Sequence, residues 1–454
     1  MSDLNVEVLN ADCLAALRDM PDASVDAVVT DPPYGLSNTT PTQVADTITR
    51  WVTGDREYLP SARGFMGHEW DGFVPPVAVW DECLRVLKPG GHLLAFAGSR
   101  THDLMTLGIR LAGFEIRDSV AWLYGSGFPK SMDVSKAIES HTLNGKSNSR
   151  TLRQTEQDGD GAAYTLTGKN NGIMGEARTY DRKTFAPTTD AAREWEGWGT
   201  ALKPAFEPVT LARKPLTGTV AANVLEHGTG ALNIDGCRVP HRDAADLAES
   251  VNKNAHARYG STPGGNSVYG DYSTTEVKDY DGSKGRWPAN VVLDESQAAE
   301  LDRQSGTRKS SGVYEGDGSR NEGHRSTSFA GGHRPNAMYA DTGGASRFFY
   351  VAKAPKSERP VVDGTAHPTV KPLALMRWLV RMVTPPGGVV LDPFAGSGTT
   401  LEAAMLEGFN AVGIEREADY LPLIRARIER ATAEMEARAE AEADMLFALD
   451  GETT

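Results

Sequence analysis

A chain of 454 residues is longer than a single hydrophobic core usually serves and long enough for two modules. Its 39% hydrophobic and 24% charged residues describe an ordinary soluble globular protein. The formal net charge of -14 by itself speaks against a nucleic-acid partner, because phosphate binding wants a basic footprint.

That charge is unevenly spread. Much of the acidic excess lies in the carboxy-terminal tail A-T-A-E-M-E-A-R-A-E-A-E-A-D, while the stretch from His141 to Tyr350 is roughly neutral, so a nucleic-acid face has to come from local clusters. The opening M-S-D-L-N-V-E has no basic stretch leading into an apolar run, so no signal peptide is expected, and no apolar run is long enough for a membrane span. Three scattered cysteines, Cys13, Cys83 and Cys237, suggest reduced thiols in a cytoplasmic compartment and give no zinc spacing.

Val6–Leu9 reads as a short strand, followed by a helix from about Cys13 to Met20. Val25–Thr30 is a nearly continuous apolar run, as a strand buried on both faces should be. A helix near Val77–Leu87 ends at the stop signal Lys88-Pro89-Gly90-Gly91. Then come a strand His92–Ala97, a helix from about Thr101 to Leu111 and a strand Glu115–Leu123. Alternation of this kind implies a parallel sheet covered by helices on both sides.

The pattern dissolves from about Ser140 to Thr200, returns briefly as a strand at Pro208–Arg213, and dissolves again from about Thr217 to Ala345, where Asn290–Leu293 is a short apolar interruption. Irregular stretches this long are functional or disordered. Regular structure resumes at Phe348–Val351. It continues through a helix Leu373–Val383, a strand Val389–Leu391, a helix of about Thr399–Glu407, a strand Ala411–Ile414 and a long helix from Tyr420 to about Leu449. There is no internal repeat and no sustained heptad.

The strongest local signal is Asp392-Pro393-Phe394-Ala395-Gly396-Ser397-Gly398-Thr399-Thr400. A buried strand ends in an acid, turns through glycines that let a ligand approach the backbone, and enters a helix whose first N–H groups point outward. The next strand ends at Glu415, where doubly wound sheets grip a ribose diol. Two acids and one glycine loop suit a nucleoside-bearing cofactor.

The second signal is Asp31-Pro32-Pro33-Tyr34, directly after the strand that ends at Thr30. An exocyclic amino group on a heteroaromatic ring is a poor nucleophile, because its lone pair is delocalised into the ring. The Asp31 carboxylate and the Pro32 carbonyl, each accepting one N–H, pull that nitrogen toward tetrahedral geometry for in-line attack on a sulfonium methyl. Pro33 helps fix the backbone, and Tyr34 can stack on the flat base.

The two strings resemble the catalytic D-P-P-Y and cofactor-binding F-x-G-x-G motifs of amino-methyltransferases acting on DNA. Their order, D-P-P-Y first, resembles the permuted β group of those enzymes. The resemblance covers residues 1–136 and 346–420. It implies an α/β fold, a doubly wound, mostly parallel Rossmann-like sheet with one antiparallel strand and two long irregular inserts. It implies S-adenosylmethionine as cofactor, with Asp12 of Asn10-Ala11-Asp12-Cys13 at the adenine amino group and Cys13 beside it. The implied set continues with Thr369 and Lys371 of His367–Pro372 at the methionine end, and with Asp31, Asp392, Phe394, Gly396, Ser397, Gly398, Thr399, Thr400 and Glu415. Trp122 and Tyr124 of Trp122–Lys130 are implied to line a target-base pocket with Tyr34. Read from the residues alone, Asp12 also suits a helix cap, Lys371 a solvated helix start, and Trp122 and Tyr124 core packing.

The division expected is a catalytic half at 1–136, an irregular insert at 137–199, a core strand at 200–216, a target-recognition insert at 217–345, a cofactor half at 346–420 and a helical tail at 421–454. Arg303, Arg308, Lys309, Arg320, Arg325 and Arg334 are the clusters expected at phosphates and base edges. No role is assigned to His68, Glu69 or Trp70, and the scattered His227, His241, His256, His324 and His333 lack metal-ligand spacing.

No cysteine follows a proline, which excludes carbon-5 methylation of cytosine through a covalent thiolate. Glutamine methylation of proteins would put asparagine at position 31. Cytosine amino-methylating relatives often carry serine there, so Asp31 favours the N6 amino group of adenine, reached by base flipping in double-stranded DNA, with cytosine N4 as the alternative and RNA or protein amide more remote. A homodimer and a cognate restriction enzyme are partners that the resemblance admits, and a bacterial or phage-encoded cytoplasmic enzyme is the setting it implies.

Overall fold

A computed structural model describes residues 4–62, 64, 71–127, 131–145, 156–157, 164–166, 178–180, 184–244, 246–248, 250–251, 282–309, 342–352, 358, 360–362 and 364–451. The chain forms two units, Met1–Gly125 with Phe206–Thr454, and Ser126–Ala205.

The first unit is built on nine strands: β1 (Val6–Leu9), β2 (Val25–Thr30), β3 (Leu87–Phe96), β4 (Glu115–Leu123), β5 (Phe206–Arg213), β6 (Val291–Asp294), β7 (Tyr350–Ala352), β8 (Val389–Asp392) and β9 (Asn410–Ile414). They form one sheet in the order β1-β9-β8-β2-β3-β5-β4-β6-β7. Every pairing is parallel except those of β5, which runs antiparallel to both β3 and β4. The mostly parallel sheet with one antiparallel strand is therefore as the sequence implies.

Strand polarity alternates side chains between two apolar layers. Ala27, Val29, Leu94, Phe96 and Val390 face one core with Trp378 and Leu379 of α8 (Leu373–Val383) and Leu401 of α9 (Thr399–Leu406). Val28, Leu93, Ala95 and Leu391 face the other, against Leu17 of α1 (Cys13–Asp19), Trp51 of α2 (Pro41–Thr53), Trp80 of α3 (Val77–Val86) and Ile109 of α4 (His102–Leu111). All six residues of β2 are buried, which explains its unbroken apolar run.

The structure departs from the sequence reading at two places. Lys88–Gly91 is not only a helix stop: α3 ends at Val86, and β3 begins at once. Val25 pairs with Leu87 and Ala27 with His92, so these four residues form a bulge inside the strand, with Gly90 at φ +77°. Lys88 Nζ donates to Asp26 Oδ1 at 2.6 Å and ties the bulge to β2. The second concerns α2, a helix on which the sequence reading is silent; Thr40 caps it with Gln43 reaching back, Pro41 opens it, and Gly54 closes it at φ +111°. Within 217–345, β6 is a strand of the main sheet, lying between β4 and β7. The last helix, α10 (Leu421–Gly451), buries Leu423, Ile424 and Ala431 in its first half.

In the second unit, α5 (Val134–Asn144) is capped by Asp133, whose carboxylate accepts from Lys136 N, and packs against α6 (Asp190–Glu194); α7 (Val220–His227) follows β5 in the first unit. Its Glu139 is fully buried, accepting from the backbone N–H and the hydroxyl of both Thr188 and Thr189. No helix of the described residues is long and apolar enough to cross a membrane.

Candidate functional site

The site sits where β8 and β2 lie side by side in the middle of the sheet. From this pair the chain winds outward in opposite directions, which opens a crevice at the carboxyl ends of the strands. Thr30 Oγ1, the last side chain of β2, donates to Asp392 Oδ1 of β8 at 2.6 Å and pins the two tips together.

On the β8 side, Asp392 is 2% exposed. Burial pushes its carboxyl up to about 6, although the Thr30 and Thr400 hydroxyls and the Phe394 N–H hold part of its charge. The loop that follows turns through Gly396 at φ +52° and Gly398 at φ +80°. A methyl group on Gly396 would stand 3.0 Å from His367 Nε2, and one on Gly398 3.1 Å from Ile424 Cα, tight contacts at backbone angles that favour glycine. Gly398 is the cap of α9, with Thr399 and Thr400 buried in its first turn and Ser397 Oγ 3.1 Å from Thr399 Oγ1.

Glu415, at the tip of β9, closes the loop from the other side. Its carboxylate accepts from Gly396 N and Glu417 N, both at 2.7 Å, and burial raises its pKa. Asn10 Nδ2 donates to the Glu415 carbonyl at 2.8 Å. Asp12 caps α1, accepting from Leu14 N at 3.0 Å and Ala15 N at 3.2 Å. Burial raises the neighbouring Cys13 thiol to about 12, so it stays protonated at neutral pH.

On the β2 side, Asp31 Oδ2 accepts from Lys371 Nζ at 2.6 Å, while Asp31 Oδ1 is buried and accepts no hydrogen bond among the described residues. Lys371 is 7% exposed, with its ammonium 5.2 Å from the Tyr34 ring centroid and 5.0 Å from that of Phe96. Burial works against its charge, but Asp31 and Glu207 more than offset it and leave the lysine more basic than usual.

Glu207 is the residue that sequence reasoning missed. It accepts from Tyr34 Oη at 2.8 Å and stands 3.4 Å from Lys371 Nζ. It lies on β5 in register with Trp122 of β4. The signal was an acid immediately before the apolar run at Pro208; only the reversed direction of β5 brings its first residues to the ligand edge. Asp71 was missed as well: its Oδ1 accepts from Tyr34 N and Gly35 N and fixes the turn after the two prolines.

Tyr34 is held on three sides, because Thr101 Oγ1 also donates to its carbonyl at 2.6 Å. Burial and the two nearby carboxylates raise its phenol well above the usual range. Trp122 and Tyr124 meet at 4.8 Å between ring centroids. Trp122 is buried, with Nε1 donating to nothing among the described residues, and burial and Glu207 push Tyr124 up to about 12. His367 packs edge-on against Tyr420 at 4.6 Å, and its Nδ1 is 2.6 Å from the Thr369 carbonyl.

The structure thus gathers Asp31, Tyr34, Lys371 and Glu207 in one cluster, and Asp392, Gly396, Gly398 and Glu415 in an adjoining one. Among the arginines expected at DNA, Arg303 pairs with Glu300 on the surface, and Arg308–Lys309 form a short antiparallel pairing with Thr342–Gly343. Arg320, Arg325 and Arg334 lie outside the described residues, as do Phe128–Lys130, His68, Glu69 and Trp70. No group of three or more His, Cys, Asp or Glu among the described residues could hold a metal ion.

A doubly wound sheet carrying D-P-P-Y and a glycine loop at adjacent strand tips defines the class: the chain belongs to the N6/N4 family of DNA methylases, whose model matches residues 25–426. Among individual proteins it is similar to the type II methyltransferase M.ScaI of Streptomyces caespitosus, 42% identical over 73 residues, which cover 16% of this chain and 24% of that one. It is also similar to the type II methyltransferase M2.MboI of Moraxella bovis, 42% identical over 66 residues, 14% of this chain and 24% of the relative. The chain therefore spans about a quarter of the length of the relatives it matches. Among solved structures, PvuII DNA methyltransferase (cytosine-N4-specific) aligns over 94% of this chain and 90% of its own with 13% identity and a TM-score of 0.38, which adds nothing to the assignment.

Proposed function

We propose that this protein transfers a methyl group from S-adenosylmethionine to the N6 amino group of adenine in duplex DNA, after flipping the base out of the stack. The observation that carries the reading is Asp31: a part-buried carboxylate at a strand tip, one oxygen held by Lys371 and the other making no hydrogen bond among the described residues, so that it can accept one from an N–H. The cofactor, when bound, supplies an electrophilic methyl on a sulfonium.

The glycine loop fits such a group: two glycines at positive φ turn it tightly from β8 into the helix that Gly398 caps, between the acids Asp392 and Glu415. Asp392, Phe394, Ser397, Thr399, Thr400 and Glu415 surround it, with Asp12, Cys13, Thr369 and Lys371 completing the set proposed to hold the cofactor. Asp31 Oδ1 and the Pro32 carbonyl accept the two amino hydrogens and free the nitrogen lone pair. The nitrogen would take the methyl group that the bound cofactor supplies, and Asp31, which accepts one of its N–H groups, would hold the proton given up. Tyr34 stacks on the base, with Trp122 and Tyr124 at the pocket wall. Residues 217–345 are proposed to read the DNA.

Incubating the protein with DNA and labelled cofactor, then mapping the modified bases, tests this. N6-methyladenine at a fixed sequence is the expected product. N4-methylcytosine would move the assignment to the other base of the family, and product on RNA or protein with none on DNA would overturn it.

A further inference from the structure

Glu207 carries a consequence for charge. Asp31 and Glu207 are two carboxylates sharing one ammonium, Lys371, at 2.6 and 3.4 Å. If Lys371 met Asp31 alone, the pair would be neutral; the second carboxylate leaves the cluster with one net negative charge. Around it stand Tyr34, Phe96 and Tyr124, and the side chains of Asp31 and Glu207 keep 20% and 18% exposure, so water screens the charge less than it would on the open surface. His367 faces the same groups, but partial burial lowers its pKa and keeps it neutral at pH 7. Asp392 and Glu415 stand at neighbouring strand tips, each with hydrogen-bond donors of its own.

We propose that Glu207 is a positioning residue that keeps the pocket anionic, so that the site prefers the cationic sulfonium cofactor to its neutral thioether product. The inference rests on the methyltransferase reading above. It also gives the antiparallel strand a role: β5 delivers the carboxylate that Lys371 would otherwise cancel. The Tyr34 hydroxyl, donating to the same carboxylate, holds it toward the lysine. A cation enters the pocket with the donor, and the same charge passes to the methylated nitrogen until its proton leaves. A net negative cluster favours both stages, and product release is eased once the cation is gone.

The test is the ratio of affinities for S-adenosylmethionine and S-adenosylhomocysteine, measured by calorimetry on the full chain at low salt. Glu207→Gln keeps an acceptor for Tyr34 but removes the charge. It should lower sulfonium affinity about tenfold, as a largely water-screened charge a few ångströms away predicts, while thioether affinity stays within about twofold. Glu207→Asp should restore most of the preference. Lys371→Met should move the ratio the other way, toward the sulfonium, and it carries the test if the glutamine variant does not fold. An unchanged ratio in Glu207→Gln, or a ratio in Lys371→Met that stays put or falls, would overturn the proposal. If the unaltered protein bound neither ligand, it is the cofactor assignment that would fail.

Discussion

Lys371 Nζ lies 2.6 Å from Asp31 Oδ2, joining two residues 340 positions apart in sequence across the centre of the sheet. The contact orients the carboxylate and leaves its other oxygen without a hydrogen bond among the described residues. Asp31→Asn keeps the size but loses the charge and with it one of the lysine's two carboxylate partners. Methyl transfer should fall by at least about 100- to 1000-fold, while S-adenosylhomocysteine still binds. Wild-type rates of label incorporation into DNA would remove Asp31 from the chemistry.

Tyr34 offers a separation of ring from hydroxyl. Its Oη reaches Glu207, and its ring lies beside the Lys371 ammonium. Tyr34→Phe should cost less than about tenfold in kcat/KM, roughly the worth of one hydrogen bond. Tyr34→Ala should raise the KM for DNA more than it lowers kcat, since stacking on a base is worth about 1–3 kcal/mol. Equal losses in the two variants would show that the ring makes no contact with the substrate.

Asp392 ties stability to pH in an unusual direction. Its folded pKa, about 6, lies above the ordinary 3.8 because the group is buried. Between those values the folded protein binds more protons than the unfolded chain, so stability falls as pH rises through the window. Above it the loss stays on the order of 3 kcal/mol. Asp392→Asn should therefore raise the melting temperature at pH 7, flatten the dependence between pH 4 and 6, and weaken cofactor binding. Parallel melting curves for the two proteins across that range would contradict the buried, charged assignment.

Gly398 has φ +80°, and a methyl group there would stand 3.1 Å from Ile424 Cα. Gly398→Ala should cost about 1–3 kcal/mol in denaturant unfolding and lower cofactor affinity in the same titration. An alanine variant with unaltered stability and affinity would mean that the loop tolerates another path.

How much of this was readable beforehand follows from the range of the interactions. Val25–Thr30 and Val389–Asp392 were legible because burial on both faces writes an unbroken apolar run into the sequence, and the glycine loop because φ above zero demands glycine. Lys88–Gly91 was legible as a helix stop but not as a bulge, because Pro-Gly-Gly does both and the pairing of Val25 with Leu87 that reveals the bulge is long-range. The helix at Pro41–Thr53 was signalled by Thr40, Pro41 and Gln43, but its weakly apolar face carries little beyond Trp51 into the core. Glu207 was hidden for a different reason: nothing near it in sequence touches Tyr34 or Lys371, and strand direction alone assembles the three.

That strand direction also fixes where the chain can vary. Leu123, the last residue of β4, pairs with Phe206, the first of β5, so the backbone leaves the sheet and re-enters it at adjacent rungs. Whatever is spliced between those rungs leaves the ladder on either side in register. The sheet can keep one reaction centre while the intervening segment is lengthened, trimmed or exchanged, and a chimera grafted at Gly125 and Phe206 is the natural place to attempt a transplant.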